Sequence, residues 1–295
     1  MDGRSLEDFR HRNQILTTLG IPVRTTIWLR PGRTTPLPGS ASKIGGVIAW
    51  PADVPWPVCD GGDTWLDEGD VQNDYFTPLA QFRQDDFPEL PFPANSNILQ
   101  LLWCPSLHDD PHSDIRILGP RTLAFWHRID RLQTVSNPTP RCARPGLIPG
   151  ECAFQPLRMA DPPPWWLLTA EEQDRFVNLV SAGDPALDAL ETTIAHWDNV
   201  GTVPGTKLLG HSFDWQRGGG DRTCACGREM PHLFTIGARE VDPSFGAWYW
   251  RYDPSLKSAG RTIRVEGIHS LDGSVEIFCC DVCPDRPIKA HWFTG

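Results

Sequence analysis

The chain has 295 residues, a formal net charge of −10 and nine cysteines, with 29 Pro, 26 Gly and 13 Trp. That acidity opposes phosphate backbones and anionic lipid, so neither nucleic acid nor a membrane surface is expected as a partner. No apolar run approaches the ~20 residues of a membrane span, and the opening "MDGRSLEDFRHRNQ" is charged where a secretory leader is apolar; a cytoplasmic chain with reduced thiols is expected.

Proline removes a backbone donor and fixes φ, so prolines scattered without a period cut the chain into many short elements. "SLEDFRHRNQILTTLG" predicts one helix, with Ser5 as cap, Phe9, Ile15 and Leu16 as apolar positions and Gly20 as stop. "VRTTIWLR" predicts a strand from its β-branched and aromatic content, and "YFTPLAQFRQ" and "NILQLLWC" predict two more. Between Pro105 and Pro164 only "RTLAFWHRI" reads as strand, and "DPPPWW" marks a rigid connector. Thr169 with Glu172 forms a capping box for "AEEQDRFVNLV", and Asp184-Pro185 opens a second helix that carries Leu187, Leu190, Ile194 and Trp197 on one face and ends at Gly201. Strands and turns fill the remainder.

The two halves echo each other. Lys43-x-x-Gly46 precedes Trp50-Pro51, and Lys207-x-x-Gly210 precedes Trp215-Gln216. Each is trailed by an apolar strand, "PLAQF" or "HLFTI", and then by one that ends in cysteine, "NILQLLWC" or "SVEIFCC". The expected fold is α+β and strand-rich: two related antiparallel modules from an internal duplication, 1–164 and 165–295, with few short helices.

These stretches, "SKIGGVIAWP", "PLAQFRQDDFPELP", "NILQLLW", "GTKLLGHSFDWQ" and "CACGREMPHLFTI", resemble the YwqG-like family of uncharacterised, mainly bacterial proteins. The resemblance covers about Ser42 to Cys104 and Trp197 to the C-terminus, and it implies a duplicated α+β fold without implying an activity. The chain departs from the family pattern in "RQDDF" after Ala80-Gln81, in a Cys-x-Cys pair where Cys-x-x-Cys is commoner, and over 105–164.

Five of the nine cysteines fall after residue 220, four of them as close pairs at turns: Cys224 and Cys226 before Gly227, and Cys280 and Cys283 before Pro284. Two such pairs are what a four-thiolate zinc site needs, and four protein ligands make the metal structural because none is left for water. The other readings are buried small residues and a redox dithiol, against which Cys280 starts no helix that would depress its pKa. Cys279 alternates to the opposite strand face, toward the core. Cys59, Cys104, Cys142 and Cys152 are spread singly and are read as core or loop.

The chain has no G-x-S-x-G elbow, H-E-x-x-H, Walker loop or G-x-G-x-x-G. "HDDPHSD", from His108 to Asp114, offers a divalent-ion site or a solvated loop. Lys43 and Lys207, each ahead of a glycine and then Trp50 or Trp215, offer a groove between modules for a ligand, or lysine stems packed on indole. Lys207, His211 and Asp214 are candidates for acid and base, with His232 and Glu240 as another set. The expectation is a non-catalytic binding protein with structural zinc and a protein or peptide partner, of basic character if charge guides it. The alternative is a hydrolase-type enzyme with a pocket between the modules.

Overall fold

The central strands carry nearly continuous apolar runs, which lets them be buried on both faces. The computed structural model describes residues 12–33, 36–60, 74–106, 108–109, 118–133, 136–141, 146–182, 197, 201–212, 221–237, 268 and 273–294. Two six-stranded sheets carry the fold, and every neighbouring pair in them is antiparallel.

In spatial order the first sheet contains Thr122–His127, Ile98–Trp103, Thr77–Arg83, Lys43–Ile44, Cys152–Ala153 and Gly32–Arg33. The second contains Ile288–Thr294, Gly273–Cys279, His232–Gly237, Lys207–Leu209, Arg24–Trp28 and Leu157–Asp161. Each sheet thus holds a four-strand meander whose strands neighbour one another in chain order, from Lys43 to His127 and from Lys207 to Thr294. Arg24–Trp28 and Leu157–Asp161, both before residue 164, belong to the same sheet as the four strands that follow it.

The inner faces meet in one apolar cluster. Ile44, Ala80, Phe82, Leu99, Leu101 and Trp103 come from the first sheet, and Ile27, Leu208, Phe234, Ile236, Val275 and Ile277 from the second. The Phe82 ring lies 5.4 Å from that of Phe234 and stacks on Phe154 at 5.5 Å. Each such side chain contributes roughly 1.5–3 kcal/mol on burial, so this interface is the principal source of cohesion between the sheets.

The outer faces are covered too. Ile48, Trp50 and Phe76 pack over Leu102, Cys104 and Cys59 outside the first sheet. Beside them Gln81 and Gln100 are fully buried. The Gln81 side-chain amide donates to the carbonyls of Gly39 (3.0 Å) and Ala41 (2.7 Å), and that of Gln100 to Ala49 O and Gln81 Oε1 (2.7 and 2.6 Å). Such partners offset the cost of burying the two NH2 groups.

A helical layer flanks the second sheet's edge. Residues 12–19 are helical, and Ile15, Leu16 and Leu19 pack with Phe176 and Trp197. Arg12 is buried and donates to Ala160 O (2.7 Å) and Gly201 O (2.9 Å), which ties this helix to the Leu157–Asp161 strand. The Ala170–Ser181 helix opens on the expected capping box: Glu172 N donates to Thr169 Oγ1 and Thr169 N to Glu172 Oε2. Of the second helix expected after Asp184, only Trp197 is described, and it is helical. The strand-rich, antiparallel character is as expected; the strands Cys152–Ala153 and Leu157–Asp161 lie where the sequence gives little signal.

Candidate metal centre

The four predicted cysteines converge. Cys224 and Cys226 sit on a tight turn in which Gly227 N donates to Cys224 O (2.8 Å) and Cys224 N to Arg228 O (2.7 Å). Gly227 supplies the φ of +83° that turn needs. Cys280 and Cys283 form a second turn at the end of the Gly273–Cys279 strand, closed by Cys280 N donating to Pro287 O (2.9 Å) and Arg286 N to Cys283 O (3.1 Å). Cys279 N donates to Pro231 O (3.0 Å), which locks one turn beside the other, and Met230 and Phe278 floor the site.

All four sulfurs lie within 4.8 Å of one another, with Cys224–Cys283 and Cys226–Cys280 both at 3.7 Å. A tetrahedron with metal–sulfur bonds of about 2.3 Å has sulfur–sulfur edges of about 3.8 Å. The cluster therefore has the size and donor set to hold a metal ion. Cys224 and Cys280 are buried, Cys283 is half-buried and Cys226 is exposed, so the site opens to solvent on one side. The backbone N–H groups of Cys283 and Val282 pull the Cys280 thiol down to about 7, which favours the thiolate a metal requires. Burial pushes the neighbouring Cys279 thiol up to about 12, in keeping with its expected core position.

Lys43 and Lys207, expected beside a groove, are both fully buried. Lys43 Nζ lies 2.6 Å from Glu151 Oε2, and Lys207 Nζ lies 3.1 Å from Asp161 Oδ2. Neither ammonium is presented to a ligand, because each is neutralised inside the fold. Trp50 is buried as well, its ring 4.8 Å from Trp56 and its Nε1 donating to Val54 O (2.8 Å). Trp215 lies outside the described residues.

His211 is positioned by its backbone, whose N–H donates to Asp161 Oδ2 at 2.7 Å, and burial lowers its imidazole pKa to about 4. His232 donates from Nδ1 to the Leu209 carbonyl (2.8 Å), which leaves Nε2 to accept from Thr235 Oγ1 (2.7 Å); burial, and after it Lys207, lowers its pKa far below the ordinary value. It is a neutral structural histidine in this tautomer. Asp214 and Glu240, their proposed partners, lie outside the described residues, as do Cys142 and Asp110 to Asp114.

Sequence reasoning missed Glu151 and Asp161 as the partners of the lysines. It also separated Cys59, Cys104 and His108, whose ligand atoms lie within 4.8 Å of one another in the buried interior. His108 is therefore no solvated loop residue, and Cys59 and Cys104 are not isolated. The spacing Cys104-x-x-x-His108 was the available signal.

Among the described residues a cleft of about 340 Å³ is lined by Asn95, Trp126, His127, Arg128 and Arg131. Arg128 is held there by Asp130 at 2.6 Å. None of the candidate catalytic residues lines it. No helix of the described residues is long and apolar enough to cross a membrane. No protein-family model and no curated protein matches the sequence.

Proposed function

We propose that this protein is a non-catalytic binding scaffold, built from two duplicated antiparallel meanders and stabilised by a structural zinc on Cys224, Cys226, Cys280 and Cys283. The observation that carries the reading is the four-sulfur cluster, all within 4.8 Å and with two edges of 3.7 Å that join one turn to the other. A closed set of four thiolates leaves no position for water to be activated, so the zinc acts on folding.

The matching strand order of the two meanders supports the duplication. So does their register: Lys43 pairs with Gln81 and Gln81 with Gln100, while Lys207 pairs with Thr235 and Thr235 with Glu276. The resemblance to the YwqG-like family points the same way, and we extend the proposal to membership of it. The partner class follows from charge alone: a net −10 favours a basic protein or peptide.

Elemental analysis of untagged protein tests the reading. One zinc fewer per chain in the Cys226→Ser, Cys283→Ser double variant than in the wild type is the expected result. Equal zinc in the two proteins, or none in either, would contradict it.

A further inference from the structure

The registers that relate the two meanders also relate their cysteines. Gln100 and Glu276 occupy matching places in the third strand of each meander. Four residues beyond Glu276 is Cys280, a member of the four-cysteine cluster; four residues beyond Gln100 is Cys104. The link between the first and second strands carries Cys224 and Cys226 in one meander and Cys59 in the other. Cys283 follows Cys280 at the third residue, and His108 follows Cys104 at the fourth. Cys104 thus stands at the place of Cys280, and Cys59 and His108 fall in the segments that supply the other cysteines of the second meander's cluster.

They also meet in space. Cys59 ends the Val58–Cys59 strand, which pairs with Asp74–Tyr75, and His108 lies on a short strand paired with Leu118–Gly119. Cys104 is fixed by its N–H donating to Arg121 O at 2.8 Å. Cys59 Sγ lies 3.6 Å from His108 Nε2, and the three ligand atoms are mutually within 4.8 Å. Cys59, Cys104 and His108 are 2%, 0% and 1% exposed.

We propose that Cys59, Cys104 and His108 form a second metal site, which binds zinc through two thiolates and the Nε2 of a neutral imidazole. Binding releases one proton from each thiol. Two thiolates cancel the charge of Zn²⁺, so the complex is neutral and suits full burial, where a net charge would be costly. Four thiolates leave the other site doubly negative, which suits its solvent-exposed Cys226. With three protein ligands the second site keeps a fourth position for a solvent molecule.

The test is zinc content of the full chain, measured for the wild type, His108→Ala and the Cys226→Ser, Cys283→Ser pair. Two zinc per wild-type chain and one in each variant are expected. One zinc that only the double cysteine variant removes overturns the second site and leaves the four-cysteine site standing; one that only His108→Ala removes does the reverse. Because a buried ligand change can unfold its surroundings, zinc-edge X-ray absorption of the wild type supplies a readout that needs no variant. A mixed sulfur and nitrogen shell is expected, and a shell of sulfur alone overturns the proposal.

Discussion

Asp161 and Lys207 are both fully buried and face each other at 3.1 Å between Oδ2 and Nζ. The same carboxylate accepts from Val203 N at 2.6 Å and His211 N at 2.7 Å, so one side chain orders the start and the end of the Lys207–Leu209 strand. Glu151 has the corresponding place beside Lys43, its Oε2 at 2.6 Å from Nζ and its Oε1 accepting from Leu37 N at 2.7 Å. Both lysine motifs thus resolve into a buried cation on one strand and a carboxylate brought from a distant segment of the chain.

Removing either member of the Asp161–Lys207 pair strands the other charge without water. Asp161→Ala and Lys207→Met are each expected to lose about 3–5 kcal/mol of stability, read as a shift of the urea midpoint. The combined Asp161→Ala, Lys207→Met chain is expected to lose less than the two single effects together. Additive losses would mean that the charges do not interact.

Glycine three residues after each lysine has a physical reason. Gly46 and Gly210 adopt φ of +68° and +78°, and a Cβ at either would overlap the carboxylate that pairs with the lysine, Glu151 or Asp161. Gly227 has a similar φ of +83° with open space beside it. Gly227→Ala should therefore cost only the backbone term of about 1–2 kcal/mol. Gly210→Ala should cost clearly more, and equal midpoint shifts would refute the overlap.

How much of this was legible depended on the distance over which each signal acts. The capping box at Thr169 and the cysteine pairs around Gly227 and Val282 are local, so spacing alone exposed them. The strands from "PLAQF" and "NILQLLW" were readable because buried strands need continuous apolar side chains. Leu157–Asp161 has the mixed sequence LRMAD, without β-branched or aromatic residues, and is a strand because Arg24–Trp28 offers it a ladder, which no local pattern reveals. Glu151 lies 108 residues from Lys43, and His108 lies 49 from Cys59, separations that only the fold bridges. The burial of Lys43 and Lys207 escaped local reading for the same reason: the lysines were visible and their acids were not.

Acid should weaken the fold through His211 and His232. Burial holds the folded pKa of His211 at about 4 against 6.5 for an exposed imidazole, and lowers that of His232 well below the same ordinary value. The unfolded chain therefore takes up protons below about pH 6.5 that the folded chain refuses, so stability is complete above that pH and falls toward pH 4. The melting temperature should drop over this window, and the drop should be shallower in His211→Gln. An unchanged slope in that variant would remove His211 from the account.

The Ala170–Ser181 helix should depend on its first turn. Thr169→Ala deletes the acceptor for Glu172 N and is expected to cost about 0.5–2 kcal/mol. Amide exchange in 170–173 reads this directly, with faster exchange confined to that turn as the predicted outcome.

The four-cysteine site is tested most directly by mapping thiol alkylation residue by residue, by mass spectrometry, before and after chelation. Cys226 is exposed and would react at once if nothing held its sulfur. The account predicts that Cys224, Cys226, Cys280 and Cys283 are all protected in the protein as purified and become reactive together as zinc is removed, while Cys279 stays protected. Alkylation of Cys226 before chelation, at a rate that chelation does not change, would contradict it.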